Sequence, residues 1–545
     1  IEAAETRPEE CLKTVVVYAV SGTHRNGVLN MPYSEMISKR ELGNMAIVFL
    51  VGITIPFLMC VCSHGEEAAP PIPQDISPEL RELIKGTLSN NVNERAAAAR
   101  ELNEMGHAAI PAIPFLIRLL GDETEPVKGL SPHDYAFSAL KSIGKPALQP
   151  LLDHLADCSV SSHRSEISYL LAYLKDRRVV EALINLLDDK EADVRRSAAR
   201  GLRLIPDLRA LEPLLAKACD SDAEVRAAVA SALGSINGPE AVDALISLLG
   251  DADKEVRESA ASALYDAPDS CALMPLLARL HDENCNVRAK AAITLGRLKD
   301  ARAIEPLLKL LHCDTNYRVR KYSAYAIGEI GDVGAVEALL LVFKNDSEED
   351  VRRAAVSALG DIGDSRAVEP IIMELQEGMK FNEPLLYLKC HAMTIALGNL
   401  KDPRSLNILT KVLLDYKGAP DLRVRIAAAL ALGKLSDGRV AEPLVAVWKD
   451  EKDFLMVRCA AALALGNTCD RQRIDALNFV VNRSAILPWS IQAIERLGEI
   501  EELRAKNLLR EILNHSEGVL HMAASIAVQK QELQQKLADE SDGKF

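Results

Sequence analysis

The chain has 545 residues, 48% hydrophobic and only 4% aromatic, with a formal net charge of −14 from 64 basic and 78 acidic residues. That length exceeds one ordinary core and requires several domains or an extended array. The acidity excludes a general nucleic-acid binder, because phosphate binding needs a surplus of Lys and Arg, and the scarcity of rings predicts a core of Leu, Ile, Val and Ala, as in stacked helices.

Residues 1–35 begin at Ile1 and are expected to be a non-native or disordered extension, with Met36 or Met45 as the start. Residues 36–65 carry Lys39 and Arg40 before the uncharged run MAIVFLVGITIPFLMCVC, residues 45–62. A basic stub before an apolar run predicts a signal peptide, with a membrane anchor as the alternative. Pro56 and the polar stretch GEEAAPPIPQ favour removal. The expected location is therefore exported or cell-envelope, periplasmic or membrane-anchored, and cytoplasmic if 45–62 is not a signal. Residues 66–78 are Pro-rich and read as a linker. Eleven cysteines form no CxxC pair and read as free, mostly buried thiols.

From residue 79 to 530 the sequence is periodic. A Val-Arg pair recurs every 31 or 32 residues, at Arg195, Arg226, Arg257, Arg288, Arg320 and Arg352 among others. About fourteen units result, and a single globular core is ruled out. In DARAIEPLLKLLHCDTNYRVRKYSAYAIGEIG, from Asp300, the first helix carries Ile304, Leu307, Leu308 and Leu311 on one stripe. Asp300 is placed to cap it, and Gly331 to end the second helix. Seven residues after each marker arginine stands Leu or Ile, from Leu202 to Leu497, and three after it a small residue that allows close packing. Six residues before the arginines stand Asp189, Asp220, Asp251, Asp282, Asp314 and Asp346. This predicts a ladder in which each arginine bonds carboxylates and turn carbonyls of its own and the adjoining unit; helix capping by Asp is the compatible alternative. Residues 531–545 read as a polar C-terminal tail.

The pattern D-x-R-A-x-E-P-L … D-x-x-x-x-V-R-x-x-A-A-x-A-L-G-x-I-G resembles the short HEAT repeat of the phycobilin-lyase type, strongly over 164–375 and fairly to about 500. The resemblance implies an all-α fold, a right-handed α-solenoid of about fourteen two-helix repeats whose second helices line the concave side. It implies no single activity, since members include lyase subunits, iron-dependent hydroxylases and scaffolds. The hydroxylase branch uses His-Glu dipeptides as iron ligands, and this sequence has none.

No HExxH, GxSxG, P-loop or GxGxxG motif is present. Ser138-Ala-Leu-Lys141 matches SxxK, but it falls on repeat positions and lacks companion motifs. Asp251, Asp253 and Glu255 suggest a calcium loop, but Val256 replaces the required glycine. His281, Cys285, His312 and Cys313 occupy neighbouring turns, too far apart for shared coordination. No catalytic residue, metal or cofactor is expected.

Positions +1, +2 and +5 after the marker face outward on the second helix. They give a largely basic stretch with two tyrosines, Arg196, Arg200, Glu258, Lys290, Lys321, Tyr322, Tyr325 and Arg353, and then an apolar stretch, Ile395, Ile426, Leu430, Leu463 and Ile491. Tyr and Arg are typical anchors. The expected function is a non-catalytic protein scaffold whose partner runs an acidic extended segment along Lys290–Arg353, with an apolar anchor toward Leu430. The alternative is a bilin-lyase-like enzyme or lyase subunit acting on a tetrapyrrole-carrying protein. Nucleic acid is not an expected partner, and a membrane enters only through a possible N-terminal anchor.

Overall fold

In the computed structural model the described residues are 70–542, except 123, 127–128, 158–160, 380–383, 415–421 and 484–486. Contacts divide the chain into Ile1–Pro71 and Ile72–Phe545. The expectations for the extension 1–35, the signal or anchor 36–65 and the start of the linker lie outside the described residues. From residue 70 to Ser77 the chain is non-helical, with Ile72 and Ile76 packed on the core. Among the described residues no helix is long and apolar enough to cross a membrane.

Pro78 opens the first helix, Pro78–Thr87, with the Ser77 hydroxyl accepting from the Leu80 N–H. From there the described residues form fourteen successive helix pairs and no strand, ending with Leu503–His515 and Gly518–Asp542.

The unit from Asp300 shows how the sequence builds each pair. The Asp300 carboxylate accepts from the Arg302 N–H at 2.9 Å and starts a short 3-10 turn, Ala301–Ala303. The first helix, Ile304–Cys313, follows without a break; Pro306 costs it nothing, because a first-turn N–H has no helical partner. Ile304, Leu307 and Leu311 are buried. Asn316 caps the second helix, Tyr317–Ile330, and Gly331 ends it in the left-handed region at φ +80°. Val319, Ala324, Ala326 and Ile327 are fully buried on the second helix. Each large aliphatic among them contributes about 1.5–3 kcal/mol.

Second helices stack on second helices. Helix Cys285–Leu298 packs on Tyr317–Ile330, and that helix on Glu349–Ile362. Glycine makes the closest approach. A Cβ on Gly328 would stand 2.7 Å from the Ala358 Cα, and the same pairing joins Gly296 to Ala326 and Gly360 to Ala396. The seam lies eight residues after one marker arginine and six after the next. It complements the small +3 position read from the sequence. One continuous apolar core runs from Leu80 to Ala527.

Residues 531–542, within the segment expected as a polar tail, continue the last helix, Gly518–Asp542, where the buried Gln531 amide donates to the Leu497 and Ile500 carbonyls at 3.2 and 3.0 Å. One expectation is corrected. The described cysteines are free but not mostly buried. Cys390 and Cys459 are buried, whereas Cys219, Cys271, Cys313 and Cys469 are exposed, at or near helix ends rather than on inward faces.

Candidate functional site

Two polar ladders fix the units in register. In the first, each marker arginine spans two units. Arg195 donates through Nη1 to the Asp189 and Lys190 carbonyls of its own turn, at 2.9 and 3.1 Å. Through Nε and Nη2 it donates to both Asp220 carboxylate oxygens of the next unit, each at 2.8 Å. The pairs Arg226–Asp251, Arg257–Asp282, Arg288–Asp314 and Arg320–Asp346 repeat this geometry, and Arg164–Asp189 has the same carboxylate fork. Arg352 departs from it, donating to Glu349 of its own helix and to the Asp346 carbonyl. The aspartates also cap: Asp251 Oδ1 accepts from the Asp253 N–H at 2.8 Å.

These bonds set the charge state. The Arg226 fork holds the Asp251 carboxyl below its ordinary value. Burial pushes the Asp282 carboxyl up, but Arg257 and the Asn284 N–H together bring it below. The would-be calcium loop is therefore occupied, with Asp251 in the ladder and Asp253 capping Glu255 and Val256.

The second ladder lies in the Asp-x-Arg turns between units, where the sequence reading recognised only a cap. Asp176, Asp207, Asp300, Asp364, Asp402 and Asp437 each pair with the arginine two residues on. Three of those arginines also reach back one unit: Arg209 to the Arg177 carbonyl, Arg366 to Val333 and Arg404 to Ser365. The recurrence of D-x-R one repeat apart was the available signal.

On the second-helix face the structure separates the predicted residues into two groups. The first is largely neutralised. Arg196 donates to Asp193 at 2.6 Å and to Glu224. The Lys321 Nζ donates to Asp350 at 3.0 Å, and Arg353 bonds the same carboxylate. These acids belong to the first turns of second helices, where the helix dipole favours negative charge. Tyr322 and Tyr325 are half-buried on the core. Arg200 is exposed and Lys290 half-buried, and neither has an ion-pair partner among the described residues. Arg200 and Arg203 line a groove of about 430 Å³ with Tyr169, which the sequence reading missed.

The second group comes together. Ile395, Ile426, Leu430 and Leu463, from three successive second helices, line one groove of about 440 Å³. Ile395 is 40% exposed. Ala427 and Ala431 add to its apolar floor, and its polar lining is His391, Lys434, Asn467, Gln492, Glu495 and Arg496. Ile491 is half-buried and does not reach the groove; Gln492 takes its place. Beside it a second hollow of about 360 Å³, at the C-terminal ends of the same helices, is lined by Lys401, Lys434, Arg473 and Arg496.

The other weighed motifs are engaged elsewhere. Lys141 of the SxxK match lies 3.8 Å from the centroid of the Tyr173 ring. Among the described residues, no three His, Cys, Asp or Glu side chains are grouped to hold a metal.

Fold and surface together define an α-solenoid of stacked helix pairs, locked by two polar ladders and open along its second helices. The chain belongs to the family of HEAT repeats, whose model matches residues 180–265, 273–360, 382–455 and 416–485, just over half of the sequence. The PBS lyase HEAT-like repeat model matches residues 351–377. Among solved structures the chain is similar to yeast importin-beta (Kap95p), with 14% identity over 83% of this chain and 68% of that one, at a TM-score of 0.57. It is also similar to importin beta crystallised in an ammonium sulfate condition, with 16% identity, 82% and 69% coverage and a TM-score of 0.56. The polyethylene glycol form of importin beta gives 14%, 97%, 79% and 0.56. Such likeness shows the fold alone. No curated protein matches the chain.

Proposed function

We propose that the protein is a non-catalytic interaction scaffold that holds a partner protein along its second-helix face. The observation that carries this reading is the groove formed by Ile395, Ile426, Leu430 and Leu463. Outward-facing repeat positions of three successive units form a contiguous apolar trough, with Ile395 exposed, Ile426 and Leu430 half-buried and Leu463 at its buried floor, the kind of patch that marks an interaction site. The apolar run 45–62 after Lys39 and Arg40 supports an exported or envelope location for this scaffold.

The test is a photo-cross-linking residue at Leu430, compared with one at Met373, which is 65% exposed on a first helix. In native extract, Leu430 is expected to capture a defined protein that Met373 does not. Equal capture at both positions, or none at Leu430, ends the proposal.

The PBS lyase HEAT-like match over 351–377 favours a second reading, a lyase-like protein acting on a tetrapyrrole carrier. Incubation with a free bilin distinguishes the two: a lyase acquires a visible absorbance band, and a scaffold does not.

A further inference from the structure

The apolar groove has an uneven charge around it. Lys434 lines both the groove and the neighbouring hollow, and Lys401 lines the hollow. The Lys434 Nζ donates to the Asn399 side chain at 2.7 Å, and neither lysine has a carboxylate at ion-pairing distance among the described residues. Asp361 interacts with Lys434 only through space. Of the acids that line the groove and the hollow, Glu499 is held by Arg496 at 2.9 Å, Glu495 stands on the groove wall with no ion-pair partner among the described residues, and Arg473 is held by Glu502. These two lysines thus contrast with Lys321, Arg353 and Arg196, whose charges are satisfied within the array. In a chain with net charge −14, two ammonium groups without carboxylate partners at one end of an apolar trough, against the single unpaired carboxylate of Glu495 on its wall, leave a local excess of positive charge.

Resting on the scaffold reading, we infer that the occupant is an amphipathic segment of a partner protein, with aliphatic side chains seated on Ile395, Ile426, Leu430 and Leu463 and carboxylates facing Lys401 and Lys434. Apolar side chains at helical spacing fill such a trough, as in helix-in-groove recognition. Carboxylates at one end fix the direction in which the segment lies, because the opposite orientation leaves both lysines without counter-charges. The acidic ligand expected from the sequence is thereby assigned to the C-terminal half of the array rather than to Lys290–Arg353.

Fluorescence anisotropy of the full chain with two labelled peptides tests this. Both peptides carry leucines at i, i+3, i+4 and i+7; one ends in glutamates and the other in lysines. The glutamate peptide is expected to bind about fivefold or more tightly than its counterpart at low salt. Lys401→Glu with Lys434→Glu should invert that preference while circular dichroism stays unchanged, and Leu430→Glu should abolish binding of both. No binding of either peptide, equal affinity for the two, or a preference that survives the double reversal overturns the assignment. Binding to phosphatidylglycerol vesicles through the same lysines, without peptide binding, also overturns it. Leu430 cross-links to a native protein do not depend on the peptide result, so failure of the acidic segment is distinguishable from failure of the scaffold.

Discussion

The Arg257 guanidinium donates through Nε and Nη2 to both carboxylate oxygens of Asp282, one unit ahead, at 2.7 and 2.9 Å. Its Nη1 donates to the Asp251 and Ala252 carbonyls at 3.0 and 2.9 Å. The side chains are 6% and 2% exposed, the most buried of the pairs in the consecutive run from Arg195 to Asp346. Arg257→Leu leaves the buried Asp282 with only the looser Arg279 contact at 3.5 Å as a counter-charge and is expected to cost about 3 kcal/mol, read as a lower urea midpoint and faster amide exchange around residues 251–285. Arg257→Leu with Asp282→Leu should recover most of the loss. Arg302→Ala, at an exposed pair, should leave the urea midpoint nearly unchanged. A double variant no better than the single would show that the fork contributes more than charge balance.

That relationship also marks how far the sequence could be read. Solenoid contacts are local and periodic, so the 31-residue spacing and the +7 leucines exposed the architecture directly. Each marker arginine from Arg195 to Arg320 has one aspartate six residues before it and another 25 or 26 after it. The pattern does not say which supplies a carboxylate and which a carbonyl. The groove was legible at Ile395, Ile426, Leu430 and Leu463 because they hold repeat positions. Lys401 and Lys434 were not, because both stand beyond the last turn of a second helix, outside the outward-facing positions counted. The pairing of Lys321 with Asp350 was hidden because it crosses between units.

Alanine usually stabilises a helix relative to glycine, but at Gly328 the sign should reverse. An added Cβ would stand 2.7 Å from the Ala358 Cα and 2.8 Å from its Cβ, so the two second helices must separate. Gly328→Ala is expected to destabilise by about 1–3 kcal/mol, and Gly328→Val by more. Gly331→Ala provides a contrast: it meets nothing within 4 Å, and its cost is the φ of +80° alone, about 1 kcal/mol. Calorimetry of the three variants checks the order, and a stabilising Gly328→Ala would show that the seam is looser than its geometry requires.

Gln531 anchors the last helix. Its buried amide donates to the Leu497 and Ile500 carbonyls, which end the preceding second helix. Gln531→Leu keeps the bulk but leaves both carbonyls without this donor, at a cost of about 1–3 kcal/mol. Because units stabilise one another only through neighbours, the loss should appear as faster hydrogen exchange in residues 503–533, with the units around Arg257 unaffected. Uniform acceleration along the chain would contradict nearest-neighbour behaviour.

Acid should loosen the turns between units before it reaches the apolar core. The arginine two residues on holds the carboxyls of Asp176, Asp207 and Asp300 down to about 2, against an ordinary value of 3.8. A depressed folded-state value means the unfolded chain binds more protons between these limits. The stabilisation is therefore complete above about pH 4 and lost as pH falls through about 2, whereas titration from pH 7 to 5 does not touch these groups. Arg302→Gln removes the side-chain bond that contributes most at Asp300. The Asp300 carboxyl carbon, followed by NMR, should then titrate nearer its ordinary value, with a shallower loss of stability in acid. An unchanged Asp300 titration in that variant would mean that the Arg302 backbone N–H, 2.9 Å from Oδ1, accounts for the shift by itself.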